Sequence, residues 1–343
     1  MNTKKQKEIC FGDNCFDYLR MFSALLIIMG HCVIHLNIAI PVWFDAILNS
    51  WVGLFCLFVL TGYLIPASLE NSKSVSEYFK KRFLRLYPGL WIAFFLSLIC
   101  IIVIGKEIRY SLKDISVWAI AQLTVFQFYT PATIEQYGVG NPNGALWTIS
   151  MEIQMYVVIM LSWNWLKKQS TKMWIILIGF ALAMNIVFPY VRNKIPVMIF
   201  KLLNVTFLPY LYVFLIGMFC YKQRDLLIPI LCKFFWLLLV VYCVWFLLDY
   251  FLLNFHFGHY TNVITGIMVS FLTISCGYRF GRHRIRNEVS YGLYIYHMIV
   301  INVFFMFGWT GRVALIFAVI IITYFLSFIS CNLIEKPIIR KYR

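Results

Sequence analysis

Residues 313–334 read VALIFAVIIITYFLSFISCNLI and carry no formal charge. An α-helix needs about 20 apolar residues to cross a hydrocarbon core of ~30 Å, so this stretch is long enough to span a membrane. Residues 91–104 form a second uncharged run, and residues 236–253 form a third in which Asp249 is the one charged residue. The chain is 62% hydrophobic and 13% charged, more apolar than a soluble domain of 343 residues can bury. The sequence therefore predicts an all-α integral membrane protein.

Hydropathy divides the chain into ten clear apolar segments and one ambiguous segment. The ten are residues 16–36, 43–66, 87–104, 145–166, 173–190, 203–221, 234–253, 260–278, 290–307 and 312–334. The ambiguous segment, residues 115–129, is shorter and contains Gln122, Thr124 and Gln127. Because Lys and Arg concentrate in cytoplasmic loops, their distribution decides whether this segment crosses.

The basic residues favour ten spans. If residues 115–129 stay on one side, 23 Lys and Arg face the cytoplasm and 7 face outward, whereas a crossing gives 13 inside and 17 outside. We therefore predict a polytopic bundle of about ten transmembrane helices with both termini cytoplasmic. Residues 105–144 become a long outer segment with room for a re-entrant or interfacial helix. The formal charge of +16 is then a topology signal, and no nucleic-acid partner is predicted.

A single membrane domain is expected. Residues 1–12 form a basic cytoplasmic tail, residues 13–337 the membrane domain and residues 338–343 a basic C-terminal tail. No small-residue cleavage site follows the first apolar run, so we interpret it as a retained span. The ten cysteines form no CxxC pair and have no histidine at metal-ligand spacing, so neither a metal nor a permanently bound cofactor is predicted.

Ionisable side chains within a predicted span are costly in lipid and indicate a functional site. Arg20 and His31 lie eleven residues apart in the first span. Eleven residues make about three helical turns, so the two side chains share one face and lie ~16 Å apart along it. His31 is a candidate catalytic residue, because an imidazole at that depth needs a partner or water. Arg20, at the cytoplasmic mouth, fits an ordinary positive-inside anchor equally well.

Two further candidate groups lie in the third and fourth spans. Glu152 reaches a depth similar to that of His31, so a carboxylate–imidazole pair is open. Trp147 lies about 140° from Glu152 on a helical wheel and is most simply an interfacial aromatic residue. Arg82 and Arg85 precede the third span at i and i+3, where guanidinium forks suit phosphate geometry. A positive-inside cluster explains the two arginines equally well.

Together these residues resemble the membrane acyltransferase-3 family over residues 13–337. The family's pattern of arginine, ten residues and histidine matches Arg20 and His31, and its basic pair before the third span matches Arg82 and Arg85. Its Leu-Trp-Thr-aliphatic-Ser-x-Glu run matches residues 146–152, and residues 58–65, 290–297 and 335–337 resemble further family elements. Thr61 stands where the family usually has Ser. The matched runs imply supporting roles for Trp147, Ser150, Tyr156, His297 and Glu335.

The resemblance implies a reaction. Members transfer acyl groups, usually acetyl, to sugars of bacterial envelopes, which gives acetyl-CoA as donor substrate and a hydroxyl of an O-antigen, capsule, exopolysaccharide or lipid-linked sugar as acceptor. Arg20, Arg82 and Arg85 would hold the phosphates of acetyl-CoA. His31 would act as general base or form a transient acyl-imidazole. Glu152 would orient His31, stabilise its protonated form or bind the acceptor, and these roles stay open.

Two other classes of function are compatible with parts of the pattern. A transporter or flippase for a lipid-linked or small anionic solute also accounts for buried His and Glu, although no inverted hydropathy repeat is visible. A non-catalytic sensor or assembly subunit gives no reason for the five candidate residues to occur together.

The expected location is the bacterial cytoplasmic (inner) membrane, surrounded by lipid, and the sequence does not indicate an oligomeric state. Because no soluble hydrolase-like domain follows in this sequence, the membrane domain is expected to complete the reaction or hand the acyl group to a separate partner.

Overall fold

The computed structural model describes residues 12–253, 257–259, 262–283, 285 and 287–342. Over these residues the chain is helical and has no β-strand. The α-helices are α1 (Phe16–His35), α2 (Val42–Asn49), α3 (Val52–Glu70), α4 (Val75–Ile104), α5 (Leu112–Leu123), α6 (Trp147–Leu166), α7 (Thr171–Val191), α8 (Val197–Asn204), α9 (Leu211–Lys222), α10 (Arg224–Lys233), α11 (Phe235–Leu248), α12 (Val263–Arg279), α13 (Ser290–Met306), α14 (Ala314–Ser330) and α15 (Lys336–Tyr342). The predicted tail 1–12 falls outside the described residues except for residue 12, and most of the predicted tail 338–343 is part of α15.

The helices confirm a multi-pass membrane protein. In the described part of the chain, seven helical stretches are long and apolar enough to cross a membrane, and an eighth is added if the bent pair α8 and α9 forms one span. The helices α12 and α13 are apolar but have 17 residues each. Each of the ten predicted segments overlaps one of these helices. The count of ten crossings and the cytoplasmic placement of both termini stay predictions.

The ambiguous segment 115–129 contributes a helix that packs beside α4. The helix α5 has 12 residues and is therefore ~18 Å long, too short to cross the hydrocarbon core. Trp118 of α5 is buried, and its ring centroid lies 5.3 Å from that of Phe94 in α4. Near the end of α5, the side-chain amide of Gln122 donates to the carbonyl oxygen of Gln127, beyond the helix, at 3.0 Å. A short helix against α4 within the outer segment fits the ten-span interpretation.

Glycines bring α3 and α9 into backbone contact. A Cβ atom added to Gly62 would overlap the carbonyl oxygen of Phe214, and one added to Gly217 would overlap the carbonyl oxygen of Val59. Small residues allow membrane helices to approach this closely. The helix α3 is consequently buried along most of its length and forms one wall of the cavities described below.

We expect Gly62→Ala to lower the thermal stability of the protein. An added methyl group in a packed interior costs about 1–3 kcal/mol, and here the obstructing atom is backbone, so the two helices must separate. Gly179→Ala is the matched control, because nothing lies within 4 Å of a Cβ at Gly179 in α7. Thermal unfolding of both variants in the same detergent measures the difference. Equal melting temperatures would contradict the close crossing.

The outer segment before α6 is tied to α13. The side-chain amide of Asn302 donates to the carbonyl oxygen of Asn141 at 3.1 Å, and its Oδ1 accepts from the backbone N–H of Val139 at 2.8 Å. Asn143 Nδ2 donates to the carbonyl oxygen of Ile295 at 2.7 Å. Asn302 is fully buried, so these bonds satisfy polar atoms that water cannot reach. They fix the start of α6 against α13, where the candidate active site lies.

Candidate active site

Four of the predicted site residues line one cavity. This space of about 750 Å³, which we call the arginine cavity, is bordered by residues of α1, α3, α4, α6 and α13. Its charged lining residues are Arg20, Arg82, Arg85 and Glu152. The structure therefore brings together side chains from three helices that are separated by up to 132 positions in the sequence.

The arginine cavity has excess positive charge. Arg20 donates to Asp17 at 3.0 Å, and Arg82 donates to the hydroxyl of Ser68 at 2.9 Å. Among the described residues, no carboxylate oxygen lies within 4.0 Å of a side-chain nitrogen of Arg82 or Arg85. Guanidinium groups that lack a carboxylate partner and face a cavity favour an anionic ligand, phosphate above all.

Arg82 and Arg85 also line a space at the protein surface, near the start of α4 and so at the end of this helix remote from residues 105–144. Arg82 and Arg85 line a wider space of about 1140 Å³, which we call the outer groove, together with Lys80 and Lys81 of α4. Ile339 and Tyr342 of α15 contribute to the lining of this groove. Two spaces therefore adjoin at a pair of arginines.

On its inner side, the arginine cavity adjoins a third space. This space of about 740 Å³, the histidine cavity, is lined by His31 and Trp147 among others. Leu54, Thr148 and Tyr294 line both inner cavities and form the boundary between them. At this boundary the hydroxyl oxygens of Thr148 and Tyr294 lie 2.5 Å apart. The outer groove, arginine cavity and histidine cavity are therefore arranged in series.

His31 is paired with a second histidine. Its Nδ1 lies 2.7 Å from Nε2 of His297, and the two rings are stacked with centroids 5.0 Å apart. The other ring nitrogen of His297, Nδ1, lies 3.2 Å from the carbonyl oxygen of Leu293. A carbonyl oxygen only accepts, so Nδ1 of a neutral His297 carries the proton and its Nε2 is an acceptor. His31 must then donate from Nδ1, which leaves Nε2 of a neutral His31 without a proton and able to act as a base.

Glu152 and His31, which the sequence left open as a pair, have other hydrogen-bond partners. Glu152 accepts from the hydroxyl of Tyr156 and faces the arginine cavity, whereas His31 is bonded to His297 and faces the histidine cavity. On α6, Thr148 lies one turn before Glu152 and on the same face. Thr148 lines the boundary with the histidine cavity, and Glu152 lies one turn further from that cavity. The described contacts of Glu152 therefore include no hydrogen bond that would orient His31.

The remaining predicted residues fall into different settings. Trp147 lines the histidine cavity, as noted above. Ser150 is buried and donates to Oε1 of Gln127 at 2.7 Å, which ties α6 to the outer segment. Glu335 accepts from the hydroxyl of Ser330 at 2.6 Å, between the end of α14 and the start of α15. Ser150 and Glu335 line neither inner cavity and hold helices in place.

Sequence reasoning missed the boundary residues. Tyr294 precedes His297 by three positions, and Thr148 precedes Glu152 by four, so each shares a helical face with a candidate residue. That spacing was the available signal. The spacing within each helix did not show that the two hydroxyl groups meet, because Thr148 and Tyr294 are 146 positions apart in the sequence.

Known proteins resemble the chain along most of its length. Nodulation protein 10 of Rhizobium leguminosarum bv. viciae is 25% identical over 94% of this chain and 92% of its own length. The O-acetyl transferase of Shigella phage Sf6 is 24% identical over 94% of this chain and 95% of its own length. The peptidoglycan O-acetyltransferase OatA of Listeria monocytogenes is 24% identical over 41% of this chain, a region that spans only 22% of OatA. No solved structure matches the chain.

A family model, described as an acyltransferase domain, matches residues 13–331. The matched region contains α1 to α14 and every residue that lines the two inner cavities. The members of this family are described as acyltransferases, so the match favours the enzyme over the alternative of a transporter or flippase. The chain belongs to the acyltransferase-3 family and is a multi-pass membrane acyltransferase.

Proposed function

We propose that the protein transfers an acetyl group from cytoplasmic acetyl-CoA to a hydroxyl group of an envelope carbohydrate. The observation that carries the proposal is the series of spaces from the basic outer groove, past Arg82 and Arg85, to His31. Acetyl-CoA has the same order: phosphates at one end, a long uncharged arm and a thioester at the other. Arg20 and His31, ~16 Å apart along α1, bracket that arm.

The acceptor class rests on the relatives. Two of those described above are named as O-acetyltransferases, one of them of peptidoglycan, so a carbohydrate hydroxyl is the acceptor we propose for this chain. With both termini cytoplasmic in the bacterial inner membrane, the outer groove opens to the compartment that holds acetyl-CoA. The histidine cavity then lies deeper, toward the side where envelope sugars are assembled.

The mechanism follows from the free nitrogen of His31. As the acceptor hydroxyl oxygen attacks the thioester carbonyl carbon, Nε2 of His31 takes the hydroxyl proton. The carbon–sulfur bond of the resulting tetrahedral intermediate then breaks, and the departing thiolate of CoA takes the proton back from Nε2. Throughout, Nδ1 of His31 donates to Nε2 of His297, which keeps the ring in one orientation. A transient acyl-imidazole would use the same Nε2 as nucleophile.

The proposal is tested with purified full-length protein in lipid nanodiscs. We expect acetyl-CoA to bind, and to be converted to free CoA when a suitable polysaccharide or lipid-linked sugar is added. Replacing both Arg82 and Arg85 by Gln should weaken acetyl-CoA binding at least tenfold, because each loses a charge-assisted contact with phosphate. The loss should shrink as salt rises, since salt screens charge–charge contacts.

The control for the double arginine variant is Lys168→Gln, which removes an exposed positive charge just after α6, outside all three spaces. Its affinity for acetyl-CoA should match that of the wild type. Unchanged affinity in the double arginine variant, or a loss that does not depend on salt, would place the phosphates elsewhere.

A further inference from the structure

The outer groove extends beyond Arg82 and Arg85. It has a volume of about 1140 Å³, against about 750 Å³ for the arginine cavity, and α15 supplies part of its lining through Ile339 and Tyr342. A ligand that reached only Arg82 and Arg85 would not contact Lys80, Ile339 or Tyr342, which line the rest of the groove. The groove therefore has room for a further part of the same ligand.

The charges in the outer groove are unequally committed. Lys81 forms an ion pair with Glu77 at 2.8 Å and also donates to the carbonyl oxygen of Asn71 at 3.1 Å. Lys80 is exposed and, within the described residues, forms no ion pair. Glu77 is thus neutralised within the protein, and among the described lining residues Lys80 joins the two arginines as a cation of the groove without a carboxylate partner.

The opposite wall is apolar and aromatic. Tyr342 is 49% exposed at the end of α15, and Ile339 lies three positions earlier, on the same face of the helix. Nζ of Lys341 lies over the Tyr342 ring, 5.4 Å from its centroid, so a planar group would stack on the opposite face of the tyrosine. A nucleic-acid base is such a group, and base–aromatic stacking tolerates any base.

On the basis of the proposed donor, we infer that the outer groove binds the nucleotide of CoA, a 3′-phosphorylated ADP. Its adenine stacks on Tyr342, Lys80 binds its 3′-phosphate, and its diphosphate reaches Arg82 and Arg85 at the junction with the arginine cavity. The nucleotide takes no part in acyl transfer. Binding it remotely gives the enzyme affinity and selectivity for CoA thioesters over shorter thioesters.

The test compares three ligands with the full-length protein in nanodiscs of zwitterionic lipid. CoA carries the whole nucleotide, and 3′-dephospho-CoA lacks only the 3′-phosphate. 4′-Phosphopantetheine lacks the adenosine, the 3′-phosphate and one of the two phosphates of the diphosphate. We expect Tyr342→Ala to weaken CoA and 3′-dephospho-CoA roughly tenfold, the loss of about one stacking contact, with 4′-phosphopantetheine changed less than about twofold. We expect Lys80→Gln to weaken CoA several-fold and to remove its advantage over 3′-dephospho-CoA.

Tyr190→Ala and Lys168→Gln are matched controls, because both side chains are exposed and lie outside the groove. Equal losses for all three ligands would overturn the inference, since the variants would then act on the fold or on bound lipid. Wild-type protein that binds CoA no better than 4′-phosphopantetheine would also overturn it. If CoA binds with this ligand pattern but no acetyl transfer is found, the proposed function fails while the nucleotide site stands.

Discussion

His31→Asn should lower acetyl transfer by a factor on the order of 10² or more, while the protein still folds, inserts and binds acetyl-CoA. Asparagine is similar in size and can still donate toward Nε2 of His297, but it cannot take a proton from a hydroxyl near neutral pH. Arg20, Arg82 and Arg85, which we propose to bind phosphate, lie in a different cavity and are untouched by the change. The assay measures acetylated glycan formed per folded protein, together with the Kd of acetyl-CoA.

His35→Asn is the matched control for this prediction. His35 lies one helical turn beyond His31 on α1, with ring centroids 5.7 Å apart, and it lines neither inner cavity. The same substitution there should leave transfer within a few-fold of the wild type. Near-wild-type transfer by His31→Asn would remove the proposed base and with it the mechanism.

The spans could be predicted from the sequence because apolar runs are local. Their internal breaks were harder to predict. The predicted segment 43–66 lies within one candidate span, Val42–Glu70, but inside it α2 ends at Asn49 and Trp51 adopts a positive φ of 61° before α3 begins. A tryptophan rarely adopts a positive φ, so the conformation itself was not predictable, although Asn49 and Ser50 before it are common turn residues and were the available signal. The segment 203–221 is bent by 50° between α8 and α9, where Pro209 was an available signal.

The candidate site was predictable where one helix sufficed. The helical period alone placed Arg20 and His31 on one face, and both line the series of cavities. The partner of His31 was not predictable in this way. His297 is 266 positions away, and only the packing of α13 against α1 brings the rings together. The sequence supplied a carboxylate at a similar depth, but depth does not specify which helical face meets which neighbour.

His297 leads to a second prediction with a large expected effect. His297→Phe should lower kcat on the order of 10² and leave the KM for acetyl-CoA nearly unchanged, because phenylalanine fills the space without accepting a hydrogen bond. His31 is then free to adopt the tautomer in which Nε2 carries the proton, and that tautomer cannot act as a base. In serine proteases, loss of the correct histidine tautomer costs a factor of about 10⁴ in kcat. His297→Gln should retain much more activity, since its Oε1 can still accept from Nδ1 of His31.

The contrast between Phe and Gln separates positioning from packing. His297 is fully buried, so both variants disturb the core, and their melting temperatures must be measured first. If packing alone mattered, the bulky aromatic phenylalanine should be at least as well tolerated as glutamine, which is the opposite of the expected order. If the two histidines act as a unit, the double variant His31→Asn, His297→Phe should transfer acetyl no more slowly than His31→Asn alone. Additive losses would mean that His297 acts independently of His31, and a His297→Phe variant with wild-type kcat would mean that the base needs no partner.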